Sequence, residues 1–76
     1  MKELVEVIAK ALVDNPDAVN VEEKVNGNTI ELELHVDSSD MGKVIGRQGR
    51  IAKAIRSVVK AASTRENLKV DVDIVD

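Results

Sequence analysis

Gly42-Lys43-Val44-Ile45-Gly46-Arg47-Gln48-Gly49-Arg50 is the stretch on which the reading of this 76-residue chain turns. Two glycines three residues apart, Gly46 and Gly49, stand between a short apolar helical turn and a longer amphipathic helix. Lacking a Cβ at either end, such a loop lets a phosphodiester chain come against its backbone. Free N–H groups at the start of the second helix, with its dipole, favour anionic groups at the same place. Arg47 and Arg50 add charge at that mouth, and Lys43 lies one helical turn before Arg47. Gly42 inside a short helix costs about 1 kcal/mol relative to Ala, which implies that something packs closely against it. The plainer reading is a helix–turn–helix connection in which the glycines only make the turn.

Outward from the loop, Ser38-Ser39-Asp40 offers cap side chains to the short helix, about residues 40–45, and Gly46 can end it with positive φ. The longer helix runs from near Gly49 to about Ser63. Ile51, Ile55, Val58, Val59 and Ala62 form its expected buried stripe, with Lys53, Arg56 and Lys60 on the opposite half. Upstream, Leu4, Val5, Ile8, Ala11 and Leu12 predict a first helix over about 2–14, ended by Asn15-Pro16. Val19, Val21 and Val25 alternate with polar residues, as do Ile30, Leu32, Leu34 and Val36 after Asn26-Gly27-Asn28. These are the signals of a β-hairpin, with the second strand central. Leu68, Val70, Val72 and Ile74 predict a last strand.

The order is α-β-β-α-α-β. The two helices after the hairpin form a crossover long enough for the second and third strands to run parallel, with right-handed sense. Each strand has one apolar face, so all three helices belong on one side of a three-stranded mixed sheet. Glu31, Glu33, Asp71 and Asp73 then face water on the other. The fold class is α+β, a two-layer sandwich, forming a single domain over 1–76. A chain this short buries only about 60% of its unfolded surface.

Charge is segregated. The net charge is −3, yet residues 41–65 hold seven Lys or Arg and no acid, while residues 1–40 carry ten acids against three lysines. A basic window in an acidic chain marks one site for an anionic partner. The absence of Phe, Tyr and Trp excludes readers that stack bases on aromatic rings. With no cysteine and one histidine, a zinc site is not expected, nor is a disulfide or thiolate nucleophile. No run of signal-peptide or membrane-span length opens the chain, so a cytoplasmic protein is expected.

The loop is not a nucleotide-hydrolysis site, because a P-loop needs four residues between its glycines and then Lys-Ser/Thr. His35, Glu31 and Glu33 share the outward phase of their strand, but a water-covered face is a poor place to raise a carboxyl pKa. Ser38 and Ser39 read as helix caps rather than nucleophiles. No enzyme, cofactor or metal is expected.

Val44-Ile45-Gly46-Arg47-Gln48-Gly49-Arg50-Ile51-Ala52-Lys53-Ala54-Ile55 resembles the signature of KH domains. In that family a G-x-x-G loop between two helices clamps about four nucleotides of single-stranded RNA or DNA. The bases lie in an apolar groove between helices and sheet edge. The element order is similar to the type II arrangement. Where the common pattern has a large aliphatic three residues after the second glycine, this chain has Ala52, with Ile51 and Ile55 expected to fill the core instead. In this, and in having little beyond one KH unit, the chain is similar to the small bacterial RNA-binding proteins of the KhpA family. The resemblance implies a non-catalytic RNA-binding role, as a post-transcriptional regulator or RNA chaperone, and pairing with itself or with a larger KH-containing partner. It implies a clamp of Gly46, Arg47, Gln48 and Gly49, with Ile45 lining the groove. Electrostatics adds Lys43, Arg50 and Lys53. The competing reading is a protein-interaction module with a structural turn, since Val58, Val59, Ala61 and Ala62 make the end of the second helix apolar on more than one face.

Overall fold

A computed structural model describes residues 1–75. Its elements are α1 (Lys2–Leu12), β1 (Asn20–Asn26), β2 (Thr29–His35), α2 (Met41–Ile45), α3 (Arg50–Arg65) and β3 (Lys69–Val75), with short 3-10 turns at Pro16–Ala18, Ser38–Asp40 and Arg47–Gly49. The order is α-β-β-α-α-β in an α+β fold. β2 is central, antiparallel to β1 and parallel to β3. The helices cover one face, where Val21, Leu32, Leu34 and Val72 meet Val5, Ala9, Val44, Ile55 and Val59. Leu32 and Leu34 are fully buried, each stabilising the core by roughly 1.5–3 kcal/mol.

Several boundaries depart from expectation for local reasons. β1 buries only Val21 among its residues, and Val25 is 61% exposed, because this edge strand runs out past the helical layer. The cap before α2 is not Ser38 or Ser39. Asp37 takes the role, its Oδ1 accepting from the Ser39 N–H and hydroxyl, both at 3.0 Å. The serines lie inside the 3-10 turn, one step too late to begin it. Asp40, which directly precedes α2, is itself buried and turns its carboxylate away to the end of α1, accepting from the N–H groups of Asp14 (3.2 Å) and Asn15 (3.0 Å).

The buried line of α3 is Ala52, Ile55, Val59 and Ser63, not Ile51, Ile55, Val58, Val59 and Ala62. Ile51 is half-buried and Val58 is 47% exposed. A small residue at 52 lets the helix lie against its neighbours where a large aliphatic would hold it off. Ser63 satisfies its hydroxyl by donating to the Lys60 carbonyl at 3.0 Å. At its C-terminus α3 closes in a Schellman turn. Asn67 takes φ 57°, its N–H reaches Thr64 O at 3.2 Å, and the Leu68 N–H reaches Ser63 O at 3.0 Å. The chain thus turns back into β3 beside the sheet.

Candidate nucleic-acid interface

Gly46 ends α2 at φ 75°, ψ 176°, a region essentially restricted to glycine. Its Cβ, were there one, would lie 2.6 Å from Ile51 Cγ1. Gly49 is left-handed at φ 72°, ψ 16°, and a Cβ there would meet open space. Between them Gln48 also takes a left-handed conformation, φ 56°, ψ 26°, without being glycine. That costs roughly 1–2 kcal/mol and was not legible from residue type.

This geometry sets which amides are free. The Gly46 N–H reaches Gly42 O (2.9 Å), the Gly49 N–H reaches Gly46 O (3.2 Å), and the Arg50 N–H donates to Arg47 O. Arg47 and Gln48 are the first two residues of the 3-10 turn, so their N–H groups have no acceptor within that turn. Both residues are exposed. Two first-turn donors therefore stand at the tip of a loop whose shape is set by its glycines, with the start of α3 behind them.

The expected site residues separate into groups. Arg47, Arg50 and Lys53 are exposed and make no ion pair among the described residues. Lys43 is committed elsewhere, since its ammonium pairs with Asp14 and lies 3.3 Å from Asp40 Oδ1. The Asp14 carboxylate raises the Lys43 pKa, against a smaller effect of burial and with help from Asp40. Burial pushes the Asp40 carboxyl up, but the bonds from Asn15, Asp14 and Lys43 together outweigh it and hold its pKa below the usual value. Lys43 thus ties α2 to the end of α1. Gly42 is not closely packed: a Cβ there would have nothing within 4 Å, and the space outside it is solvent. Ile45 is half-buried against the core at the foot of the loop.

An open groove of about 730 Å³ runs between α3 and β3, lined among others by Arg56, Lys60, Ser63, Leu68 and Val70. Ile45 is not among its lining residues. β3 is an edge strand, and Arg56 Nε donates to its Val72 carbonyl at 3.1 Å. Arg56 lies six residues beyond Arg50, about 9 Å along the helix. The groove therefore lies nearly two helical turns beyond Arg50, on a face of α3 turned about 120° from it.

A model of the family described as "KhpA/KhpB, KH domain" matches residues 2–74. The chain belongs to this family. It is 64% identical over 75 residues to the RNA-binding protein KhpA of Clostridium perfringens, covering 99% of this chain and all of that one. It is 58% identical over 76 residues to the RNA-binding protein KhpA of Halalkalibacterium halodurans, covering both chains in full. At greater distance it is 45% identical over 74 residues to the RNA-binding protein KhpA of Borreliella burgdorferi, covering 97% of this chain and 90% of that one. No solved structure matches the chain. Membership in a KhpA/KhpB family, together with the α-β-β-α-α-β order, makes this a type II KH fold and a non-enzymatic one. No helix among the described residues is long and apolar enough to cross a membrane.

Proposed function

We propose that this chain binds single-stranded RNA without catalysis, in the cytoplasm, clamping the sugar–phosphate backbone on the loop Gly46-Arg47-Gln48-Gly49. The observation that carries the reading is the turn itself, shaped by three positive φ angles, which sets the first-turn N–H groups of Arg47 and Gln48 beside exposed Arg47, Arg50 and Lys53, none of them in an ion pair among the described residues. Backbone amides and guanidinium groups are the donors that phosphate oxygens take. The names of the relatives, RNA-binding proteins KhpA, favour RNA over other polyanions. Ile45 and Gly42 flank the loop, and the α3–β3 groove offers Leu68 and Val70 beside Arg56 and Lys60 to the bases, with Glu31, Asp71 and Asp73 on its sheet side. Lys43 serves by anchoring α2. A role as a post-transcriptional regulator or RNA chaperone fits such a clamp.

Three cations meeting phosphates give a slope of log K against log salt of about −2. The test is RNA binding by the wild type and by the Arg47→Asp/Gln48→Asp variant, with circular dichroism on both. Asp accepts a left-handed conformation more readily than Gln, so the variant should keep its fold. Loss of binding is expected. Equal binding would remove the clamp, and no binding by either protein would favour an interaction module.

One observation supports association as a second activity of the same chain. Val58 is 47% exposed, and near it on α3 Ala61 and Ala62 join Met1, Arg65 and Glu66 around a shallow hollow. Weak pairing with a second copy or a larger KH-containing protein would cover that surface. Equilibrium sedimentation showing a strict monomer at high micromolar concentration would count against it.

A further inference from the structure

On the open face of the sheet, the strand register assembles side chains whose grouping the sequence did not reveal. Glu22 of β1 stands directly opposite Glu33 of β2, and Glu33 directly opposite Asp73 of β3. Three carboxylates thus form one row across the whole sheet. Like charges directly opposite one another destabilise a sheet, and among the described residues only Lys24 offsets the row, its ammonium 3.4 Å from Glu33 Oε1. His35, two residues along β2 from Glu33, shares this face.

The His35 ring completes a convergent set. Its Nε2 is shielded from solvent and has no hydrogen-bond partner among the described residues. Glu33 Oε2 stands 3.7 Å from it, too far for a hydrogen bond. One ligand atom from each of Glu22, Glu33 and His35 lies within 4.8 Å of the other two. Two ligands bound at 2.0–2.1 Å in tetrahedral geometry sit about 3.4 Å apart, so small side-chain rotations would bring these atoms onto one ion. A shielded nitrogen without a partner and a carboxylate row that Lys24 offsets at one member are separate features, and a cation satisfies both.

We propose that Glu22, Glu33 and His35 form a binding site for a divalent transition-metal ion of the Zn²⁺ class. One imidazole with two carboxylates suits zinc, cobalt or nickel, whereas magnesium and calcium take all-oxygen sets. Lys24 holds the other oxygen of Glu33 and so orients the ligating one. The sequence argued against zinc by counting one histidine and no cysteine; antiparallel register adds one further residue to the set, Glu22, from the neighbouring strand. The site lies on the sheet face away from the helices, fastens β1 to β2, and does not depend on the RNA clamp.

The test is Zn²⁺ titration of the chain without added tag histidines, read by competition with a chromophoric zinc indicator. It is read in parallel by the imidazole proton resonances, which report one residue because the chain has a single histidine. The expected result is one saturable Zn²⁺ per chain with a shift of the His35 resonances. A hundredfold excess of Mg²⁺ should not reverse it. His35→Ala, Glu33→Gln and Glu22→Gln should each weaken binding at least tenfold, while Glu31→Gln/Asp71→Asn on the same face should change it less than twofold. Unchanged Zn²⁺ affinity in His35→Ala, equal weakening by the Glu31/Asp71 control, or no saturation at millimolar zinc would each overturn the assignment. All the substituted side chains are partly or fully exposed, and circular dichroism confirms that each variant folds.

Discussion

The two loop glycines look equivalent in sequence, and the structure predicts that they are not. Replacing Gly46 with Ala puts a side chain on a backbone at φ 75°, ψ 176°, which costs of order 1–3 kcal/mol for a non-glycine residue. The new Cβ would also lie 2.6 Å from Ile51 Cγ1, 2.9 Å from Cδ1 and 3.0 Å from Cβ. Rotating χ1 of Ile51 removes the first two contacts but not the third, so backbone must shift, adding roughly 1–3 kcal/mol of overpacking. About 3 kcal/mol in total is a moderate estimate. Gly49→Ala meets nothing within 4 Å and carries only the left-handed conformation, about 1 kcal/mol. A chain of this length has on the order of 4–11 kcal/mol of stability, so both variants should fold and both can be measured. Urea unfolding with an unchanged m value should give the ranking, and melting should show it as roughly 4–8 °C per kcal/mol. A double-mutant cycle sharpens the test. Ile51→Ala removes the two closest atoms, so Gly46→Ala should be milder in that background by about 1 kcal/mol or more. Equal losses at the two glycines, or additivity to within about 0.5 kcal/mol, would refute the steric argument.

Two further outcomes follow from the Asp14–Asp40–Lys43 cluster. Lys43→Met should lower stability while leaving the salt slope of RNA binding unchanged; a phosphate-contacting lysine would instead reduce its magnitude by about 0.7, as Arg50→Met should. The Asp40 carboxyl has a folded pKa below its unfolded value, so its contribution is present above that value and lost as pH falls through the folded one. Urea titrations at stepped pH should therefore show stability falling below about pH 4, and Asp40→Asn should be less stable at neutral pH with a shallower acid dependence.

The fold was legible because each element's period agrees with its place. Ile30, Leu32 and Leu34 alternate where β2 is buried on one face only, and the Asn-Pro break and the Gly46 stop fall where the chain turns. The face of α3 was misread because hydrophobicity weights large residues. Ala52 and Ser63 are buried for their smallness, which no apolar pattern reports. In the site, the glycines and the exposed cations could be read from spacing and charge. The left-handed Gln48, the 3-10 turn that Arg47 opens and the binding of Lys43 by Asp14 could not, since they depend on backbone angles and on residues 29 positions away in sequence. His35 beside Glu22 and Glu33 was hidden for the same reason: one strand showed two of the three, and register supplied the third.

The same separation of faces explains how a chain of net charge −3 can present a basic site. The carboxylate row of Glu22, Glu33 and Asp73 lies on the sheet face opposite the helices, and Arg47, Arg50 and Lys53 lie on the loop and α3. The shortest extent of the molecule is 16 Å, about twice the Debye length of roughly 8 Å at physiological ionic strength. Charges more than a Debye length apart are largely screened by salt, so a polyanion at the loop meets the local cations more than the net charge. From the other side it is repelled, which orients it toward the loop. Internal bonds narrow the ligand-facing charge further, since Lys43 is neutralised by Asp14 and Asp40 and Arg56 is bound to the Val72 carbonyl. With few cations left at the tip, long-range attraction supplies encounter. The fixed donors on Arg47 and Gln48 supply direction, because an amide hydrogen bond, unlike a lysine, demands that the phosphate arrive at one angle.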